Sequence, residues 1–290
     1  CTYNRQDVIA ECIENLLDQD FENYEIIIID DHSEPKVDLS QYVHNSKVNI
    51  SVIYNENNLG ISKSRNLASK YANYDIIAFI DDDCVAQNKH WLSELVRPFA
   101  DDNVAIVGGK VKDPEPINIF MRAAKGHYIR YNKSGYVDGL PGGNLNLAIR
   151  KNFFENNPIT QIALEDWDLC AKAIKNGYKI YYNSDAIVVH KHYHNFKTLF
   201  KQRLRYGIGK TWLRLDNNQF PLNLPTSLLV VGIFAIPFLF INIYTFMVIL
   251  LLFLSLLTYI FLKDYKKGEK KAIEAIVTFP VYIWLTLTEC

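Results

Sequence analysis

The chain has 290 residues, 49% of them hydrophobic, and 31 Lys and Arg side chains against 32 Asp and Glu give it a net charge of -1. That balance leaves no electrostatic footprint for nucleic acid, and the length allows one large domain or two smaller ones. Five scattered cysteines (Cys1, Cys12, Cys84, Cys170 and Cys290) contain no CxxC pair, which argues against a disulfide framework or a cysteine zinc site and for reduced thiols in a reducing compartment. The chain opens abruptly on "CTYNRQDV" and closes inside the apolar run "FPVYIWLTLTEC", so we expect a fragment cut at both ends.

In chain order, "DVIAECIENLLDQ" sets Val8, Ile9, Cys12, Ile13, Leu16 and Leu17 at helical spacing. "YEIIIIDD" is a short β-branched run of the kind buried on both faces of a sheet. "VNISVIYN" follows as a second strand, "GISKSRNLASKYA" as a helix, "YDIIAFIDDD" as a third strand, "KHWLSELVRPFA" as a helix and "VAIVGGKVK" as another strand. This alternation predicts an α/β fold whose sheet is doubly wound and mostly parallel, with helices on both faces. Ligands of such sheets bind at the carboxyl ends of the strands.

Two strands end in acid: Ile26–Ile29 runs into Asp30-Asp31, and Ile76–Ile80 into Asp81-Asp82-Asp83. Adjacent carboxylates repel, so the triple aspartate is either a solvated turn or a seat for a divalent cation. Hard oxygen ligands suit Mg²⁺ or Mn²⁺ shared with substrate phosphates. There is no GxxxxGK[ST], and no GxGxxG follows the first strand, so P-loop and dinucleotide readings fail. In "ALEDWDLCAKAIKNGYKI", Glu165, Asp166 and Asp168 open an amphipathic helix, where the helix dipole favours negative charge. "VVHKHYHNF" carries His190, His192 and His194 at strand spacing, which puts them on one face without an evident fourth ligand for zinc.

The C-terminal part differs in kind. Residues 196 to 223 form a basic amphipathic stretch, "FKTLFKQRLRYGIGKTWLRL" at its heart, suited to lie on anionic headgroups. From Leu224 to Leu262 no side chain is charged. At ~20 residues per crossing, this predicts two spans, about 225–243 and 245–262, with Asn242 and Tyr244 in the hairpin and a third span starting near 272. Lys263, Lys266, Lys267, Lys270 and Lys271 mark the following loop as cytoplasmic, and therefore also everything before the first span. The expected location is an inner or plasma membrane, multi-pass, with the soluble domain in the cytoplasm.

The ordered set "TYNR", "IIIIDDHS", "NNLGISKSRN", "FIDDDC", "GLPGGNLNLAIRK", "LEDWDL" and "QRLRY" resembles the family 2 glycosyltransferases over residues 1–206. The resemblance implies a GT-A, nucleotide-sugar-binding domain over residues 1–195, with its first strand truncated ahead of the TYNR-like turn. It implies an inverting, metal-dependent transfer from a nucleotide-sugar donor, with UDP favoured over GDP and dTDP, to a lipid-linked or cell-envelope glycan. Carried over by position, it implies that Tyr3 and Asp31 contact the base and ribose, and that Arg65 lies near the base or diphosphate. Asp81 and Asp83 form the DxD, with Asp83 on the metal, Asp81 sharing it, and Asp81 or Asp82 toward the ribose. His190 serves as a further metal ligand or a diphosphate contact. Gly143 and Asn144 belong to the loop beside donor sugar and acceptor, and Glu165 stands next to the base, Asp166. Gln202, Arg205 and Tyr206 correspond to a QxxRW element with Tyr in place of Trp, which puts processivity in doubt. A processive polysaccharide synthase, a non-catalytic membrane partner and a nucleotidyltransferase are the rival readings. The intact acids count against the partner, and the ED helix against the nucleotidyltransferase.

Overall fold

A computed structural model describes residues 1–124, 131–143, 145–160, 164–191, 195–202, 206 and 255. Two compact units divide the chain, Cys1–Glu115 with His127–His192, and Pro116–Gly126 with Tyr193–Cys290. The first unit opens with helix α1 (Gln6–Leu17), whose Ile9, Cys12 and Ile13 are buried at the spacing read from sequence. Strands β1 (Glu25–Asp30) and β2 (Asn49–Tyr54) pair in parallel, with helix α2 (Ser40–Asn45) between them in sequence. Ile9, Ile13, Ile26, Ile28, Leu39 and Ile50 close into a small core of their own.

Helix α3 (Ile61–Tyr71) starts after Gly60, whose φ of 81° a side chain would resist, and leads to strand β3 (Ile76–Ile80). Then come β4 (Cys84–Ala86), α4 (Trp91–Val96) with a 3₁₀ turn at Arg97–Ala100, and β5 (Val104–Lys112). Helix α5 (Ile119–Ala124) belongs to the second unit. The first unit resumes with β6 (Gly135–Val137), β7 (Asn146–Arg150), α6 (Lys151–Asn156), α7 (Glu165–Lys175) and β8 (Lys179–His190).

The main sheet runs β3-β7-β5-β8-β4, with β6 also on β8. Here the structure corrects the expectation of a mostly parallel sheet. Only β5–β8 is parallel, while β3–β7, β5–β7, β4–β8 and β6–β8 are antiparallel. The sheet is mixed. An apolar run reports burial on both faces and carries no information on strand direction. That burial is present: Ile106, Leu147 and Ile149 pack with Phe153, Phe154, Leu169 and Ala173 on one face. Val107, Ala148 and Val188 pack with Trp91, Leu92 and Leu95 on the other.

Strands β1 and β3 are not paired with each other. Between them lies a cavity of about 350 Å³ lined by Ile26, Ile27, Ala78, Phe79, Trp91 and Leu92 among others. At one end of β1, Thr2 makes an isolated parallel bridge with Asp30, donating its N–H to the Ile29 carbonyl and accepting from the Asp31 N–H, both at 2.9 Å.

In the second unit, residues 196–202 are helical, Phe120 meets the Phe196 ring edge-on at 6.1 Å, and Leu199 is buried. Among the described residues no helix is long and apolar enough to cross a membrane. The expected spans and most of the amphipathic stretch lie outside the described residues.

The centre of the sheet is tied by one buried amide. Asn146 donates to the carbonyls of Lys110 (3.0 Å) and Ala186 (2.9 Å) and accepts from the Trp91 indole at 2.8 Å. These bonds sit where the β5–β8 register shifts after Gly109. A Cβ on Gly109 would fall 2.1 Å from the Ala186 carbonyl oxygen and 2.4 Å from the Asn146 amide nitrogen. Gly109→Ala is therefore expected to cost about 3 kcal/mol by overpacking. Gly135→Ala, with nothing within 4 Å of the new methyl, should stay within about 0.5 kcal/mol. Thermal melts of the two purified variants check this.

Candidate active site

The carboxyl ends of β1 and β3 and the amino end of α7 bring the acids of the sequence motifs together in the first unit. At the end of β1, Asp30 is buried and accepts from the Ser33 and Val37 N–H groups at 2.9 and 3.0 Å. Asp31 accepts from Asn55 (2.7 Å), the Leu59 and Gly60 N–H groups (2.8 Å each) and the Ser64 hydroxyl (3.0 Å). Burial alone would raise this carboxyl, but those four donors outweigh it and hold it below its ordinary range. Asp31 thus fixes the 55–60 loop and the start of α3. Tyr3, its expected companion at the base, is 49% exposed.

The triple aspartate is not left to repel itself. Asp81 accepts from Arg65 Nη2 at 2.7 Å. A single nitrogen, Arg5 Nη1, lies 2.8 Å from both Asp82 Oδ1 and Asp83 Oδ2. The other oxygen of Asp83 faces His190 Nε2 at 3.2 Å, because the antiparallel β4–β8 pairing sets Cys84 opposite His190. Burial pushes the Asp83 carboxyl up, but His190 and Arg5 outweigh it and bring it to about 2. Asp82, where burial dominates, is raised despite Arg5. Burial works against the charged form of His190, yet the Asp83 contact wins and raises it.

At α7, Leu164 takes a left-handed φ of 59° immediately before the two acids. Such a conformation is uncommon for a large side chain and turns the chain sharply into the helix. Glu165 accepts from Arg65 Nη1 at 2.9 Å. Arg65 is 4% exposed and lies over the Phe79 ring, so one buried guanidinium joins the DxD to the ED pair. Asp166 accepts the Trp167 N–H at 2.9 Å. The residue as a whole keeps some exposed surface, but its carboxyl is enclosed by protein. That desolvation, followed by the charge of Glu165, pushes it up to about 7.

A carboxylate oxygen of Asp83, Nε2 of His190 and Sγ of Cys84 lie within 4.8 Å of one another. Burial pushes the Cys84 thiol up strongly, and sulfur suits a hard cation less well than oxygen does. The remaining oxygen and imidazole donors fit a divalent cation such as Mn²⁺. All four described cysteines are free.

Gly143 is buried in the loop before β7, and its neighbour Gly142 packs so closely on β5 that a Cβ would sit 2.8 Å from the Gly109 carbonyl oxygen. Asn144, Arg205, His192 and His194 lie outside the described residues. Gln202 and Tyr206 are helical residues of the second unit. Sequence reasoning missed Arg5, although it sits inside the quoted "TYNR". Three adjacent carboxylates require counter-charge, and that requirement was the available signal.

The family model described as glycosyl transferase family 2 matches residues 1–155, more than half of the chain. The chain belongs to glycosyl transferase family 2. A glucosyl-dolichyl phosphate glucuronosyltransferase of Haloferax volcanii is 32% identical over 114 residues, 38% of this chain and 36% of that protein. The O-antigen chain rhamnosyltransferase WbaN of Salmonella anatum is 29% identical over 215 residues, 66% of this chain and 65% of the relative. The chain thus spans between about a third and two thirds of these curated relatives. Among solved structures, the mannosyltransferase PcManGT from Pyrobaculum calidifontis, in complex with GDP-Man and Mn²⁺, superposes with a TM-score of 0.63 at 14% identity, covering 99% of this chain and 83% of that one. S. aureus TarS in complex with UDP-GlcNAc gives 0.53 at 20% identity, covering 80% and 78%. These likenesses identify the fold as GT-A.

The raised Asp166 carboxyl has a stability consequence. Its folded value, about 7, stands above the ordinary 3.8, so the native state holds the proton more firmly than the unfolded chain between those pH values. Stability from this group is therefore full below about pH 4 and is lost as pH rises through about 7. Asp166→Asn should melt a few degrees above wild type at pH 8, with the gap closing toward pH 4. Thermal scans of both proteins across that range check the sign.

Proposed function

We propose that this family 2 member is an inverting, metal-dependent glycosyltransferase that moves a sugar from a nucleotide-sugar donor to a lipid-linked or cell-envelope glycan. The observation that carries this reading is the joining of Asp81 and Glu165 by buried Arg65, which sets the DxD beside the ED pair. Asp166 acts as general base, taking the proton of the acceptor hydroxyl while its oxygen attacks the anomeric carbon and the bond to the diphosphate breaks on the opposite face. Its raised carboxyl is matched to base work near neutrality. Asp83 and His190 would hold a divalent cation, with Asp81 nearby, and its charge would offset that of the departing diphosphate. Mn²⁺ is favoured over Mg²⁺ by the imidazole donor.

The donor is a UDP-sugar in this reading, with GDP- and dTDP-sugars as alternatives. The complexes of TarS with UDP-GlcNAc and of PcManGT with GDP-Man and Mn²⁺ support a nucleotide sugar and a metal without choosing the base. The lipid-linked acceptor takes support from the dolichyl phosphate and O-antigen named for the two relatives. We assign residues 1–195 to the catalytic domain, 196–223 to an interfacial segment and 224–290 to membrane anchoring. The uncharged run from Leu224 to Leu262 and the lysines after it support a multi-pass protein with its catalytic domain in the cytoplasm.

The test is nucleotide release from UDP-, GDP- and dTDP-sugars by detergent-solubilised protein, with Mn²⁺ or with EDTA. One nucleotide should be released with metal, and Asp83→Ala should abolish the release. Asp166→Asn should bind donor but lose about 10²-fold or more in transfer to an acceptor. The wild-type rate should climb with pH through an apparent value of about 7 as Asp166 gives up its proton. Failure of every nucleotide sugar to bind would favour a partner-subunit role instead.

A further inference from the structure

Two arginines neutralise the acids of this site, and they are built differently. Arg65 is buried and locked between Asp81 and Glu165. Arg5 approaches from the solvent side, its side chain 48% exposed above Asp82 and Asp83, which are 8% and 13% exposed. It stands at the start of α1, after Asn4 with its φ of 53°. The backbone there is fixed by the Asn4 N–H on the Ser33 hydroxyl (2.9 Å) and the Glu34 N–H on Asn4 Oδ1 (2.8 Å). Any movement of Arg5 is therefore a movement of its side chain.

Nor does α1 need the Arg5 ion pairs to stay in place. Asn15 exchanges two hydrogen bonds with Ala86, at 2.7 and 3.1 Å, and Gln19 accepts from the Leu92 N–H at 3.1 Å. The Arg5 contact is left as an electrostatic one, serving the acids and not the fold. Asp83 divides its oxygens between His190 on one side and Arg5 on the other. A divalent cation on the Asp83–His190 pair would share that carboxylate with a guanidinium, and two cations so close repel.

We propose that Arg5 is a displaceable internal counter-ion, which holds Asp82 and Asp83 until a divalent cation takes Asp83 and then swings off them. Arg5 thereby weakens the site's hold on metal in the absence of donor. Once displaced, it is a free cation at the rim of the site, available to the diphosphate of an arriving nucleotide. The inference rests on the metal reading above.

The experiment is Mn²⁺ binding to the solubilised full chain without nucleotide, followed by the electron paramagnetic resonance of free Mn²⁺. Wild type is compared with Arg5→Gln, Arg5→Lys and Asp83→Asn. Arg5→Gln should bind Mn²⁺ about two- to fivefold more tightly than wild type, the scale of a partly exposed ion pair. Arg5→Lys, which keeps the charge but not the fork, should fall between them and covers the case in which Arg5→Gln does not fold. Equal or weaker binding by both Arg5 variants, with Asp83→Asn still abolishing uptake, would overturn this proposal and leave the metal site standing. Uptake that Asp83→Asn leaves intact, or no uptake by any variant, would overturn both.

Discussion

Everything at this site follows from the problem of keeping several carboxylates together without a solvent shell around each. Asp81, Asp82, Asp83, Glu165 and Asp166 come from two places far apart in sequence, and burial works against the ionised forms of Asp82, Asp83 and Asp166. The protein answers with charge of two kinds. Arg65 is a fixed strut whose guanidinium fork serves two acids at once, a geometry that lysine does not offer. Arg5 and His190 hold Asp83 from opposite sides. Among the described residues no basic group comes within ion-pair distance of Asp166, and burial with the charge of Glu165 outweighs Arg65 and holds its proton to near neutrality. Neighbouring carboxylates are thus treated unequally, Asp83 being held ionised and Asp166 protonated to near neutrality.

The sheet makes this arrangement possible. An antiparallel β4–β8 pair delivers His190 to Asp83, and parallel β5–β8 pairing carries β8 through the centre of the domain. Gly109 and Gly142 let the loop before β7 pack on β5 more closely than a side chain would allow, and Asn146 ties the same place through the Lys110 and Ala186 carbonyls. Three non-glycine residues with positive φ, Asn4, His32 and Leu164, flank the site's turns. Strain of this sort collects where side-chain position matters more than backbone comfort.

Much of the architecture could be read from the chain. The runs around Ile26–Ile29 and Ile76–Ile80 became strands, and Glu165 to Asp168 opened a helix as their spacing required. Strand direction could not be read, because apolar residues signal that both faces are covered and are silent on the neighbour's polarity. Pairings over long separations were equally hidden. Arg65 and Glu165 lie 100 residues apart, and Arg5 lies 77 from Asp82. Three adjacent aspartates suggest a metal as their counter-charge, but two arginines already in the quoted motifs, Arg5 and Arg65, share the task. The donors that wrap Asp31 were hidden too, since Asn55, Leu59, Gly60 and Ser64 lie 24 to 33 residues from it.

The gap between β1 and β3 carries a consequence for how the domain breathes. Thr2 meets the β1 edge through Ile29 and Asp31, while Asp30 turns its carbonyl toward the Asn55 N–H on the β2 side. By strand alternation, the amide of Ile27 points away from β2, toward the apolar cavity that Ile27 lines. Those of Ile26 and Ile28 point into the β1–β2 ladder. Adjacent amides in one strand should then exchange with deuterium at different rates, faster for Ile27 than for Ile26 and Ile28. Any strand that came to lie in the cavity would erase that alternation, making exchange at Ile27 a direct gauge of whether the two sheets have become one.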